Sequence, residues 1–377
     1  MNISPYLYPM NHLLIIEHAA HFEVARAYAG MFLAAGWKVT LALNEKNAGF
    51  LEGVFGESDQ LSFFVLKHSD DQAGYWSELS DRAGNANLVI LCSHENNAGG
   101  LVYRKWKTNS YLVIHDGFNY IDPLGHLEWG GGLRQWLRIV KYFATGYFRK
   151  RIKSARQYDG WLTPVEWQES WKNKSKVAEV LYLPFLWNEG IGSVKNECFH
   201  IVVPGTVNQR SRDYLSVKKL ILRMANTSGL PPCKITLLGK AASRAEVKLV
   251  NEMKKAATQN VTLVTFDNHL SSADFDAIMR SADLLLLPLQ PSWQYGVVRE
   301  IGGISCLSGN IGDMVRFGKR GLVPKHYPLH PLIAKNVVYY DPLKEDELLE
   351  LIFNISTTPA DYSQWNAFVV EIINSIN

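Results

Sequence analysis

Cysteine is scarce in this chain of 377 residues: Cys92, Cys198, Cys233 and Cys306 lie far apart and form no CxxC pair. Neither a disulfide framework nor a thiolate metal knot is indicated, and the four read as small residues in a reducing compartment. No apolar run approaches the ~18–20 uninterrupted residues that a spanning helix needs. The opening "MNISPYLYPMNHLLII" has neither a basic n-region nor a small-residue cleavage site, so it does not read as a signal peptide, and the chain is expected to be cytoplasmic. Net charge is only +3, too little to argue for nucleic acid. No GxGxxG follows any apolar run, which speaks against a nicotinamide dehydrogenase.

What is present is a globular composition, 47% hydrophobic with 20% charged, on a length that suits two domains. Short apolar runs bounded by Gly, Pro, Asn or Asp recur throughout. "HLLIIE" (12–17), "KVTLAL" (38–43), "LSFFVL" (61–66), "NLVILCS" (87–93), "YLVIHD" (111–116), "GWLTP" (160–164) and "VLYLPF" (180–185) occupy the first half. "HIVVPG" (200–205), "KITLLG" (234–239), "VTLVTF" (261–266), "LLLLPL" (284–289), "GLVPKH" (321–326) and "VVYY" (337–340) occupy the second. Such runs lack polar alternation, as strands buried on both faces of a parallel sheet do. Helical spacing separates many of them, as at Val24, Tyr28, Met31, Phe32 and Ala35 before Gly36.

The pattern predicts an α/β chain with two Rossmann-like, doubly wound parallel sheets in series, facing a cleft at their carboxyl ends. The polar stretch 186–199 places the boundary: an N-terminal domain over 1–188 and a C-terminal one over 189–360. Residues 361–377 form a last helix that closes the second domain or crosses back to the first.

"SGNIGDMVRFGKRGLVPKHYP" (308–328) is the most informative stretch. Gly309, Asn310 and Gly312 read as a turn opening a helix, with Asp313 in its first turn. A glycine-bearing turn at a helix start presents free N–H groups and a positive dipole end to a phosphate. The plain alternative is a strand–turn–helix in which Asp313 only stabilises the N-terminus.

The second half resembles the donor-binding domain of GT-B glycosyltransferases. "IVVPGTVNQRSRDY" (201–214) is similar to their first strand and loop, with Gly205 near the donor phosphates. "KITLLGKA" (234–241), residues 260–289 and "GDMVRFGKRGLVP" (312–324) resemble successive later elements. The resemblance implies that Asp313 takes the nucleotide ribose. Retaining members commonly carry two glutamates eight positions apart; here Ser305 and Asp313 stand there, which leaves the stereochemical outcome open. Arg210 and Arg212 are candidates for the diphosphate, because a guanidinium binds phosphate oxygens in pairs. Lys240, after the glycine ending its strand, is a third. "DFD" at 274–276 spells a metal–diphosphate signature, but Ser271 or Ser272 precedes it as an N-cap, and acids are favoured in a first helical turn anyway.

In the first half, Glu17, His18 and His21 follow the first strand. Transfer to a hydroxyl needs a base, and a histidine near neutral pKa suits an inverting reaction. The segment also resembles inverting GT-B enzymes that glycosylate lipid-linked peptidoglycan precursor, through "AAGWKVTLAL" (34–43). That resemblance implies His21 as the base, although "IEHAA" stands where the family has a glycine-rich loop. His18 is the second candidate. A packing role, with His21 capping the helix and His18 solvated, competes. A metal site would be a thin one, with two histidines three apart and one acid. His115 and Asp116 also end a strand, and Asp116 could be a base or orient a histidine.

Between Glu128 and Asp159 there is no acid, while Arg134, Arg138, Lys141, Arg149, Lys150, Arg151 and Lys153 interleave with Trp136 and other large apolar residues. That mixture suits an anionic membrane surface; a core helix followed by a solvated basic one is the alternative. Together these readings imply a glycosyltransferase of hexosyltransferase type. It would move sugar from a nucleotide diphosphate sugar to a glycan acceptor carried on lipid, in cell-surface polysaccharide assembly at the inner face of the cytoplasmic membrane. No cofactor, metal or nucleic acid is called for. A nucleotide-sugar 2-epimerase of the same fold and a non-catalytic nucleotide-sugar-binding protein are the alternatives.

Overall fold

A computed structural model describes residues 10–56, 58–67, 71–94, 106, 108–194, 196–258, 260–355 and 360–376. The chain forms two compact units, Met1–Trp187 with Ala367–Asn377, and Asn188–Asn366.

The first unit carries seven strands: β1 (His12–Glu17), β2 (Lys38–Asn44), β3 (Leu61–Leu66), β4 (Leu88–Leu91), β5 (Ser110–Val113), β6 (Gly160–Thr163) and β7 (Glu179–Tyr182). They pair in parallel in the order β3-β2-β1-β4-β5-β6-β7. Every residue of β4, β5 and β6 is buried, while the edge strands β3 and β7 are half-covered. Continuous apolar runs therefore take the middle of the sheet, where helices cover both faces. The helix Phe22–Ala34 buries Val24, Ala25, Tyr28, Met31 and Phe32 on one face. It stops before Gly36, whose φ of +82° disfavours any side chain.

The second unit repeats the plan with β8 (Phe199–Val203), β9 (Cys233–Leu237), β10 (Val261–Val264), β11 (Leu284–Leu286), β14 (Gly321–Pro324) and β15 (Val337–Tyr340). Their order is β10-β9-β8-β11-β14-β15, again parallel. All the expected runs became strands. One element was not foreseen: an antiparallel hairpin, β12 (Ser292–Tyr295) with β13 (Val298–Ile301), inserted after β11. Its signal was "SWQYGVVREI" (292–301), two short runs around Gly296 and Val297, the spacing of a two-residue turn.

Each sheet reverses its winding once, between β1 and β4 in the first unit and between β8 and β11 in the second. In open α/β sheets ligands bind outside the carboxyl ends of the strands at such a reversal. Glu17 ends β1 and Gly205 follows β8, so each reversal has candidate residues beside it.

Candidate functional site

In the second unit the chain leaves β8 through Pro204 and Gly205, and Gly205 has φ +81°. A Cβ on Gly205 would overlap the guanidinium of Arg212. A Cβ on Gly239, beyond β9, would lie 2.5 Å from the Gly205 carbonyl oxygen. Two glycines thus let two turns and an arginine converge. Arg212 donates from Nη2 to Asn310 Oδ1 at 2.6 Å and from Nη1 to the Thr206 carbonyl at 3.2 Å. Its Nε is buried without a hydrogen-bond partner among the described residues. Asn310, 1% exposed, donates to the Pro204 carbonyl at 2.9 Å. The loop after β8 is in this way fastened to the start of the helix Gly309–Arg316.

That helix starts earlier than the sequence suggested. Ser308 is its cap and accepts from the Asn310 N–H, while the Ser308 N–H donates to the Tyr327 hydroxyl at 2.8 Å. Gly309 to Gly312 is therefore helix rather than turn. Asp313 falls beyond the first turn and is half-buried. The serine oxygen supplied a cap before the point where the glycines alone implied one.

The remaining donor candidates disperse. Arg210 is exposed, and its N–H donates to Asn208 Oδ1 at 3.0 Å. Its charge adds to the pull, chiefly from the Ser243 hydroxyl, that holds Glu246 below the usual carboxylate range. Lys240 is half-buried, and its carbonyl accepts from Val207 N–H at 3.0 Å. Of the "DFD" acids, Asp274 donates its N–H to the capping Ser271 hydroxyl at 3.1 Å and accepts from that hydroxyl at 2.6 Å, and Asp276 pairs with Arg316 at 2.7 Å. Ser305 is fully buried and receives the Ile301 N–H at 2.8 Å, which closes the turn after the hairpin. His326 was overlooked. Like His115 it stands just past a strand, here β14, and it donates from Nε2 to the Leu289 carbonyl at 3.0 Å.

In the first unit Glu17 ends β1 at the reversal and is fully buried. The Ser93 hydroxyl donates to Oε2 at 2.5 Å and the Ala19 N–H to Oε1 at 2.5 Å. Burial raises its pKa, and those two donors work against the rise. Ser93, just beyond β4, carries no motif and was not anticipated.

The two histidines of "HAAH" part company. His18 accepts or donates at Nε2 with the Tyr75 hydroxyl at 2.8 Å and stands edge-on to Trp76. Burial drives its pKa down to about 4, which keeps the ring neutral near pH 7. His21 precedes the helix Phe22–Ala34 but makes no side-chain cap. Its ring stacks on His115, and Nδ1 lies 3.2 Å from Glu23 Oε1. Burial is the largest influence on His21 and lowers its pKa, yet Glu23, Glu17 and Asp116 together outweigh it and the net shift is upward. His115 donates from Nε2 to the Cys92 carbonyl at 2.7 Å. Burial, with His21 beside it, pushes its pKa down to about 3. One ring of the stack is thus neutral and the other a strengthened base, 36% exposed.

Asp116 is buried and acts electrostatically on both His21 and Arg151. Arg151 is placed differently from the rest of the basic stripe. On the helix Tyr147–Ala155 it shares a face with the buried Phe148, Ser154 and Ala155. It donates to the Tyr147 hydroxyl at 2.8 Å and lies over the Tyr120 ring at 4.7 Å. Arg149 and Lys150 are exposed, as is Trp136. No three His, Cys, Asp or Glu side chains among the described residues gather into a metal-binding group.

No family profile matches the chain, and no curated protein does. Solved structures match over nearly the whole length. HepE from Anabaena, in complex with UDP-glucose, aligns at TM-score 0.53 and 11% identity over 97% of this chain and 100% of that one. TarM aligns at 0.53 and 10% over 98% and 97%. A glycosyltransferase from Rickettsia africae aligns at 0.50 and 10% over 98% and 95%. This chain has the GT-B fold. Two Rossmann-like units in series are what that fold requires, and at these identities the likeness speaks of architecture. In GT-B terms Gly205, Arg212 and Asn310 stand in the second Rossmann-like unit, and His21, His115 and Asp116 in the first.

Proposed function

We propose that the protein is a glycosyltransferase of hexosyltransferase type, moving a sugar from a nucleotide diphosphate sugar to a hydroxyl of a lipid-linked glycan in cell-surface polysaccharide assembly. The observation that carries this reading is the meeting of Arg212, Gly205 and the start of the helix Gly309–Arg316 at the reversal of the second sheet. A guanidinium whose Nε has no hydrogen-bond partner among the described residues, next to a helix N-terminus, suits a pyrophosphate. Charge developing on the leaving diphosphate is stabilised by the same groups. Asp313, one turn further on, is the group proposed for the ribose hydroxyls, with Lys240 nearby. Arg210 is the weaker phosphate candidate, being exposed.

His21 is the proposed base. Neutral His21 takes the proton from the acceptor hydroxyl, and Glu23, Glu17 and Asp116 stabilise the imidazolium that results. Asp116 orients and balances charge here rather than accepting the proton itself. His18 is assigned to packing.

Attachment to the inner face of the cytoplasmic membrane rests on the helix Gly132–Ala144. Only Gln135 and Ile139 are buried on it. Leu133, 74% exposed, and Trp136, 53% exposed, share one side with Leu137, Val140 and Phe143, all in solvent. Arg134, Arg138 and Lys141 flank that side. Covering five half-exposed apolar side chains is worth on the order of 5 kcal/mol, and each nearby cation adds about 1 kcal/mol on an anionic bilayer. No helix among the described residues is long and apolar enough to cross a membrane.

Incubation with UDP-, GDP- and CMP-sugars, with and without lipid-linked acceptor, tests the reading. Sugar transferred to the acceptor is expected. Isomerised donor without acceptor would mark a 2-epimerase, and binding without turnover a non-catalytic binder.

A further inference from the structure

Beside the exposed helix lies a cavity of about 430 Å³, a size typical of small-ligand pockets. Ile121, Pro123, Leu124, Phe143, Phe148 and Ile152 give it apolar walls, and Arg149 and Asp122 are the charged groups that line it. The Asp122 charge is already met: Lys174 lies 3.9 Å away and the Gly125 N–H donates to it at 3.1 Å. Arg149 has no ion pair among the described residues and is exposed. Lys153 stands one helical turn beyond it on the same face, also exposed. An oily chamber with two uncommitted cations beside it matches one kind of occupant, an amphiphile with a hydrocarbon chain and an anionic head.

We infer that this cavity binds the head-proximal part of the chain of a membrane lipid phosphate, with Arg149 on the phosphate. The chain enters between the loop 121–124 and the helices Gly132–Ala144 and Tyr147–Ala155. Phosphate suits the pair of cations better than a carboxylate does, since it carries more than one charge near neutral pH and offers three oxygens to a guanidinium. Phe143 belongs both to the cavity wall and to the exposed apolar side of the helix, so the chamber opens at the face proposed to meet the bilayer. The inference rests on that membrane reading and adds a discrete site to it.

The test is calorimetric titration of the intact protein with dodecyl phosphate below its micelle concentration. Inorganic phosphate and dodecyltrimethylammonium serve as comparisons. One saturable site for dodecyl phosphate is expected, with both comparisons at least ten-fold weaker. Arg149→Gln and Leu124→Glu, both at exposed positions, should each weaken it about ten-fold while the circular dichroism spectrum is unchanged. Equal binding of the cationic amphiphile, or unaltered binding by both variants, would overturn the site. Absence of saturable binding in a protein that still associates with anionic vesicles would also remove the cavity while leaving the membrane reading intact. Loss of vesicle association together with probe binding in the wild type would remove both.

Discussion

The rings of His21 and His115 stack with centroids 4.3 Å apart and planes 18° from parallel. They differ in proton affinity, since His115 donates from Nε2 to the Cys92 carbonyl while Glu23, Glu17 and Asp116 favour protonation of His21. A base must be unprotonated to act. With His21 as the proposed base, its upward shift is expected to place the rising limb of a kcat/KM profile above pH 6.5, the ordinary histidine value. Glu23→Gln should move that limb back down, because it removes the nearest acid. A limb that stays fixed in Glu23→Gln would take His21 out of the titration.

His21→Ala should lower transfer by roughly 10²–10⁴-fold, the usual worth of a general base, while nucleotide-sugar affinity stays within two-fold or so. Single-turnover rates and titration calorimetry on the same preparation separate the two. Unchanged turnover would assign the proton to another group.

Arg151 and its neighbours should behave differently although they are adjacent in sequence. Arg149→Gln with Lys150→Gln is expected to loosen binding to anionic vesicles without moving the melting temperature. Arg151→Gln should leave vesicle binding alone and cost on the order of 1–3 kcal/mol of stability, since it strips a charged partner from Tyr147 and Asp116. Co-sedimentation and denaturant unfolding provide the two readouts.

Acid should weaken the fold early. His18, His94, His115 and His200 are all held neutral by burial, with pKa values pushed to about 4, 3, 3 and 4. Between those values and 6.5 the unfolded chain takes up protons that the folded one refuses, so stability falls as pH drops through that window. Each buried histidine contributes up to about 1.4 kcal/mol per pH unit there. His94, which bonds the Tyr120 and Ser154 hydroxyls at 3.0 Å, is a clean position to probe. His94→Gln should flatten the dependence of the unfolding midpoint on pH between 6.5 and 4.

Much of this was legible beforehand for a simple reason. Strands buried on both faces leave continuous apolar runs, and the reversal points follow from strand order once the sheets are recognised. What escaped depends on orientation and on local polar bonds. Periodicity places Arg151 on a basic helix but does not say that its face turns toward Tyr120. Glycines marked the approach to the helix Gly309–Arg316, yet the Ser308 oxygen decided where it began. Ser93 is an ordinary serine until β4 is set beside β1.

The central claim, that Arg212 and the start of the helix Gly309–Arg316 hold a pyrophosphate, is tested most directly by titrating the protein with UDP-, GDP- and CMP-sugars in wild-type and Arg212→Gln forms. The account predicts that one nucleotide class binds the wild type and that Arg212→Gln binds it at least ten-fold more weakly with its fold intact. Failure of every nucleotide sugar to bind, or equal affinity in the two forms, would contradict it.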